Sequence, residues 1–200
     1  MSRIISVFLF CFIPLCLQAQ YDWELEKDQH GIKVYSSHLP YGNFKAVKVE
    51  CELNGDFEEL MKVLTDVDGM KGWVYKTKNI KLLSAEDPSD ISYYSETDLP
   101  WPVANRDAVI NLEFNIDSLP EYITIKGTCD EYGVPKVDGL VRLSHFKADW
   151  KITKIENQSI NVEYILEVDP GGDLPAWINN MFILKGPYET FYNLSEKLND

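Results

Sequence analysis

The stretch "DLPWPVANRDAVINLEFNI", Asp98 to Ile116, sets an arginine at the head of an apolar run. Alternate positions from Arg106 put Ala108, Ile110, Leu112, Phe114 and Ile116 on one face of a strand, with Asp107, Val109, Asn111, Glu113 and Asn115 on the other. The arginine shares the apolar face, where a guanidinium is costly unless it is paired, lines a cavity or reaches water at the rim of a sheet. Other chemistry-bearing residues are few. His30, His38 and His145 stand in separate segments without metal-ligand spacing, and no Ser-His-Asp or Cys-His constellation accompanies them. His145 alternates with Lys147 and Asp149 and reads as a solvated side chain. Cys51 shares an apolar face with Val47, Val49 and Leu53, and Cys129 one with Ile123 and Ile125, so both read as buried free thiols, with a disulfide between them as the alternative that export would permit.

The elements that must hold these residues follow from hydrophobic period. Strands are expected at Ile32–Ser37, Asn43–Leu53, Ile80–Ala85, Ile91–Thr97, Arg106–Asp117, Tyr122–Cys129, Leu140–Ser144, Phe146–Ile155 and Ile160–Val168, most of them joined by short polar links. Such neighbours form a largely antiparallel sheet. A helical turn is expected around Trp23. In "GDFEELMKVLTDV", Asp56 with Glu59 three residues on makes a capping box for a helix whose stripe is Phe57, Leu60, Met61 and Leu64. A second short helix carries Met70 and Trp73. After Pro170-Gly171-Gly172, apolar residues from Trp177 to Leu198 recur at helical spacing, predicting a long amphipathic helix from Leu174 to Leu198, bent or broken at Gly186-Pro187. One long helix over a curved antiparallel sheet is an α+β arrangement, and a single helix rarely fills a wide curved sheet, which leaves room for a cavity.

Residues 1–20 carry Arg3, an apolar run from Ile4 to Leu17 and the small-residue cleavage pattern Leu17-Gln18-Ala19, the order of a secretory signal peptide. The run is shorter than the roughly 18 to 20 residues a spanning helix needs. The expectation is an exported, periplasmic or extracellular soluble protein, with 21–200 as one domain. The whole chain has a formal charge of −13, and removing Arg3 with the signal makes the remainder one unit more acidic. That surface repels nucleic acid and anionic lipid, so no nucleic-acid partner is expected, while brief membrane contact stays open.

Four segments in order resemble one known family. "LTDVDGMKGWVYK" resembles a helical segment with an acidic pair before a tryptophan. "DLPWPVANRDAVINLEF" resembles a proline-containing loop followed by Arg-Asp and a strand. "GLVRLSHFKADWKITKI" resembles a Val-Arg followed by a Trp-x-Ile hairpin, and "VEYILEVDPGGDLPAWINNMFI" a strand, an Asp-Pro-Gly-Gly corner and a C-terminal helix. The family is that of the steroidogenic-acute-regulatory-protein-related lipid-transfer (START) domains, and the likeness covers nearly all of the chain after residue 20. The resemblance implies a helix-grip fold, a curved antiparallel sheet wrapped around the C-terminal helix with a tunnel for one lipid. It also implies that Arg106 is buried against an acidic residue of the preceding strand, with Asp90 and Glu96 as candidates.

The function expected on this basis is noncatalytic binding of one apolar ligand, a lipid or sterol-like molecule, for transfer or sensing, by a monomer that needs no cofactor or metal. Arg106 is the expected polar anchor, Tyr94 and Tyr164 its hydroxyl partners, and Trp177, Met181 and Phe182 the lid lining, with Gly171-Gly172 as hinge. Core packing is the alternative reading of the aromatic residues and Met181. The rival functions are a helix-grip enzyme of cyclase or hydrolase type acting on an apolar substrate, and a protein-interaction module of the cell envelope, which predicts a filled core.

Overall fold

The computed structural model describes residues 21–41, 44–87, 89–130, 133–155, 158–172 and 174–199; the expected signal segment, 1–20, lies outside them. The strands are β1 (Glu24–Gln29), β2 (Ile32–His38), β3 (Lys45–Asn54), β4 (Thr77–Asp87), β5 (Asp90–Thr97), β6 (Arg106–Asn115), β7 (Tyr122–Cys129), β8 (Val141–Arg142), β9 (His145–Ile155) and β10 (Ser159–Asp169). They form one open sheet in the order β1-β2-β3-β10-β9-β7-β6-β5-β4, with the short β8 paired to β6. Pairing is antiparallel throughout except for β8 on β6.

The helices are α1 (Phe57–Thr65), α2 (Ala176–Asn180) and α3 (Gly186–Asn199). Asp56 caps α1 through both arms of the expected box: its side chain accepts from the Glu59 N–H, and the Glu59 side chain accepts from the Asp56 N–H. Met70 and Trp73 fall on and just after a 3₁₀ turn, Gly69–Gly72, and both are buried.

Two expectations need correction here. The segment after Trp23 is a strand, β1, and not a helical turn. It is an edge strand with almost no buried side chain, so it shows no apolar alternation by which to be found. The C-terminal helix is not broken at Gly186-Pro187. It runs on from Ala176 to Asn199 through a π-helical turn, Met181–Lys185, in which the Gly186 N–H reaches back five residues to the Met181 carbonyl. Pro187 has no N–H to give to the preceding turn, and the ladder widens just before it. A Cβ at Gly186 would stand 2.9 Å from the Met181 oxygen, so this widened turn requires glycine.

Register brings apolar residues of six strands into rows on one face of the sheet. Val49, Tyr164, Trp150, Ile125 and Phe114 lie opposite one another across β3, β10, β9, β7 and β6. The next row has Val47, Leu166, Ala148, Gly127, Leu112 and Ile91. At Gly127 a Cβ would come within 3.1 to 3.2 Å of Ala148, Leu112 and Phe146, so the missing side chain lets those neighbours close over it. The helix lies on this face and is held from both sides. His30 Nδ1 is in hydrogen-bonding contact with the Tyr188 hydroxyl at 2.5 Å. From the other side Thr190 Oγ1 accepts from the Tyr75 N–H at 3.1 Å, and Asn193 Nδ2 donates to the Trp73 carbonyl at 3.1 Å. Phe191 and Leu194 are fully buried beneath; each such side chain contributes about 1.5 to 3 kcal/mol by leaving water. This is a helix-grip fold. Among the described residues no helix is long and apolar enough to cross a membrane.

Candidate functional site

The helix does not fill the curve of the sheet. A cavity of about 210 Å³ remains between them. Its apolar wall includes Ile110, Leu112, Trp150, Leu166 and Phe191, and its far side is the widened helical turn, from which Met181 and Phe182 border it. Trp150, Tyr164 and Phe191 pack as an aromatic trio with ring centroids 4.6 to 5.2 Å apart, which stiffens one wall.

Three polar side chains matter in this wall. Arg106 borders the cavity and is 4% exposed. Its Nε donates to the Pro170 carbonyl at 2.9 Å, Nη1 to the Ala104 carbonyl at 2.5 Å and Nη2 to the Gly171 carbonyl at 2.9 Å. It therefore ties the loop before β6 to the corner after β10, where Gly171 and Gly172 both have φ of +69°, a left-handed conformation suited to glycine. Asp169 secures the same corner by accepting from the Gly171 N–H at 2.9 Å. Burial depresses the pKa of the guanidinium. The other two are Tyr93 and Tyr164, both bordering the cavity, with no protein hydrogen bond to either hydroxyl among the described residues. Burial pushes both phenols far up, so they stay protonated as donors.

The expected carboxylate partners of Arg106 are not its partners. The residue opposite Arg106 on β5 is Thr97, and Glu96 is opposite Asp107. Adjacent residues of a strand face opposite ways, so Glu96 and Asp90 lie on the other side of the sheet from the arginine. Glu96 instead accepts from Lys78 Nζ at 3.0 Å and Asn105 Nδ2 at 2.8 Å, while Asn105 Oδ1 accepts from the Leu99 N–H, fixing the loop. Burial raises the Glu96 pKa, but those two hydrogen bonds and the Lys78 charge outweigh it and leave the carboxyl below its ordinary value. Asp90 is exposed at the strand end, opposite Glu113.

Tyr94 shares that opposite face. Its hydroxyl is pushed up to about 12 by burial and by the neighbouring Asp107. The tyrosine at the cavity is Tyr93, one residue earlier. Trp177 is 49% exposed and does not border the cavity; Ile178 occupies the buried side of α2 instead. Arg106, Tyr164, Met181 and Phe182 are thus brought together, and Asp90, Glu96, Tyr94 and Trp177 are not.

Sequence reasoning missed the buried ion pair of the opposite face. Arg142 Nε and Nη2 donate to the two oxygens of Asp107, each at 2.9 Å, with both side chains 1 to 2% exposed. The Arg-Asp dipeptide and a second arginine before the Trp-x-Ile hairpin were its only signal. None of the three histidines borders the cavity. His145 lies across the sheet from it, with 37% of its side chain exposed as expected of a solvated histidine, though its Nε2 is covered and lies 3.6 Å from Glu167 Oε2. Cys51 is a buried free thiol, pushed up to about 12 by desolvation, and is therefore not bonded to Cys129. Cys129 is only partly buried.

Comparison with known proteins agrees with this geometry. The START domain family model matches residues 12–196. A solved structure described as a STAR-related lipid transfer protein from Xanthomonas axonopodis superposes with a TM-score of 0.81 at 28% identity, covering 89% of this chain and 99% of that one. An uncharacterized protein of Pseudomonas aeruginosa is 30% identical over 174 residues, 86% of this chain and 85% of its own length. The phosphatidylcholine transfer protein of Mus musculus is 25% identical over 163 residues, 80% of this chain and 75% of its own length. A family match from the first described strand to the last turns of α3, on a sheet that grips its C-terminal helix, makes this chain a member of the START domain family.

Proposed function

We propose that the protein binds one hydrophobic ligand, a lipid or sterol-like molecule, without catalysis, and carries or senses it. The observation that carries this reading is the apolar cavity left between sheet and helix, bordered by a single buried cation. Burial of ligand area at about 25 cal/mol per Å² supplies the driving force, and a few polar groups fix orientation. Arg106 is the polar anchor, with Tyr164 as a hydroxyl partner and Tyr93 in the place expected for Tyr94.

The noncatalytic mode is supported by what borders the cavity. Its tyrosines are held protonated and are poor bases, and the three histidines lie elsewhere. A filled core, expected of a pure interaction module, is at odds with the space observed.

At about 210 Å³ the cavity is smaller than the roughly 300 to 1,000 Å³ of ordinary small-molecule sites, so loading a whole lipid requires the lid to move. The helix from Ala176, with its widened turn at Met181–Lys185, is the element to move, and the glycine corner is its hinge. Trp101, 91% exposed on the loop tied by Arg106, and Trp177 at the start of the helix are suited to brief contact with a neutral membrane surface. Export by the segment 1–20 and a monomeric state complete the proposal. Solvent extraction of the purified protein followed by mass spectrometry tests it: a stoichiometric lipid is expected, and protein with no extractable lipid that also takes none up from vesicles would exclude the reading.

A further inference from the structure

The cavity's two polar points differ in kind. Among the described residues no carboxylate is paired with Arg106; its described hydrogen bonds all end on main-chain carbonyls. Carbonyl dipoles satisfy hydrogen bonds but leave the positive charge standing, and a buried charge without a counter-ion is a standing cost. A guanidinium has five N–H donors. The three bonds use one on each nitrogen, which leaves one on Nη1 and one on Nη2 for a further acceptor. The second point lies along the same strand. Tyr93 is directly opposite Ile110, four residues beyond Arg106, a separation of roughly 13 Å at the rise of an antiparallel strand. Tyr93 and Tyr164 both border this cavity, and no protein hydrogen bond reaches either hydroxyl among the described residues.

From this juxtaposition we propose that the ligand is a single-chain amphiphile with an acidic head, received by Arg106, and a second oxygen part-way along its apolar body, held by the Tyr93 and Tyr164 hydroxyls. The inference rests on the lipid-binding reading and adds charge and a second polar point to it. The head neutralises the guanidinium. The second oxygen gives the phenols an acceptor, and a single chain needs the smaller enlargement of the 210 Å³ space.

Binding of four probes tests this: stearate, stearyl phosphate, methyl stearate, and stearate bearing a mid-chain hydroxyl, titrated into the wild-type protein and into Arg106→Met and Tyr93→Phe/Tyr164→Phe. In the wild type at least one of the acids is expected to bind about 10- to 150-fold more tightly than the ester, the range of a hydrogen bond to a charged group, and the tighter acid identifies the head. Arg106→Met is expected to abolish that preference. The hydroxylated stearate should bind more tightly than stearate, and the double tyrosine variant should lose this gain alone. Equal binding of acids and ester by the wild type overturns the acidic head while leaving lipid binding intact, and needs no variant to fold. An unchanged hydroxyl gain in Tyr93→Phe/Tyr164→Phe overturns the second polar point. Failure of all four probes, with no lipid extractable from the protein, overturns the lipid-binding reading itself.

Discussion

Arg106 and Asp107 are neighbours in sequence, equally buried, and electrostatically opposite. Asp107 also borders the cavity, but strand alternation turns its side chain to the other face, where its carboxylate is closed by both arms of the Arg142 guanidinium at 2.9 Å. Arg106 faces the cavity and is held only by carbonyls, without a counter-ion among the described residues. The geometry of the Asp107 pair is already complete, as expected of a structural contact. That of Arg106 uses three of its five donors and is incomplete in charge, which is what a receiving site for an anion requires. The two faces of one strand thus separate what fastens the fold from what meets the ligand.

The largest expected effect breaks the closed side. Asp107→Ala removes the carboxylate that takes both arms of the buried Arg142 and is expected to cost about 3 to 5 kcal/mol of stability, read by urea unfolding, while ligand affinity of the folded fraction is unchanged. Loss of affinity in folded Asp107→Ala protein would erase the distinction between the faces. Arg106→Met should cost less, about 1 to 3 kcal/mol, because it removes a buried cation rather than the carboxylate facing one, although it releases the carbonyls of Ala104, Pro170 and Gly171. A larger loss than for Asp107→Ala would make Arg106 the main fastener.

The smallest effect sharpens the comparison through pH. Glu167, 2% exposed on the face away from the cavity, accepts from Tyr21 at 2.7 Å and Tyr41 at 2.5 Å. Burial raises its pKa, but the bonds from Tyr41 and Tyr21 and the charges of Lys147 and His145 outweigh that and hold it below the ordinary 4.5. A depressed carboxyl contributes stability above its unfolded pKa and loses it as pH falls through the folded value. Stability should therefore drop below about pH 4.5, and Glu167→Gln should flatten that drop without altering ligand binding at neutral pH. An acid-unfolding profile identical to the wild type would remove Glu167 from this role.

Much of this was legible from residue order. The alternation from Arg106 through Phe114 placed the arginine on the inner face, and the Asp56 to Glu59 spacing named a real cap. The partner of Arg106 was not legible, because alternation within β5 and within β6 says nothing of the register between them. With Thr97 opposite Arg106, one residue of parity turned Asp90, Tyr94 and Glu96 outward and Tyr93 inward. β1 gave no pattern because an exposed edge buries almost nothing. The helical period showed that Trp177 belongs to the C-terminal helix, but not which side of α2 the sheet covers.

The central claim is that the ligand sits inside the cavity between sheet and helix, and filling that cavity tests it most directly. Ala108 borders it from the same face as Arg106 and is 3% exposed. Ala108→Trp places a large side chain in the space, and Ala148→Leu, on β9 of the same sheet face, serves if the first does not fold. Titration with the lipid extracted from the wild-type protein should show affinity reduced by about tenfold or more in a variant whose unfolding midpoint is retained within the usual cost of overpacking. Unchanged affinity in a folded, cavity-filled variant would contradict the account.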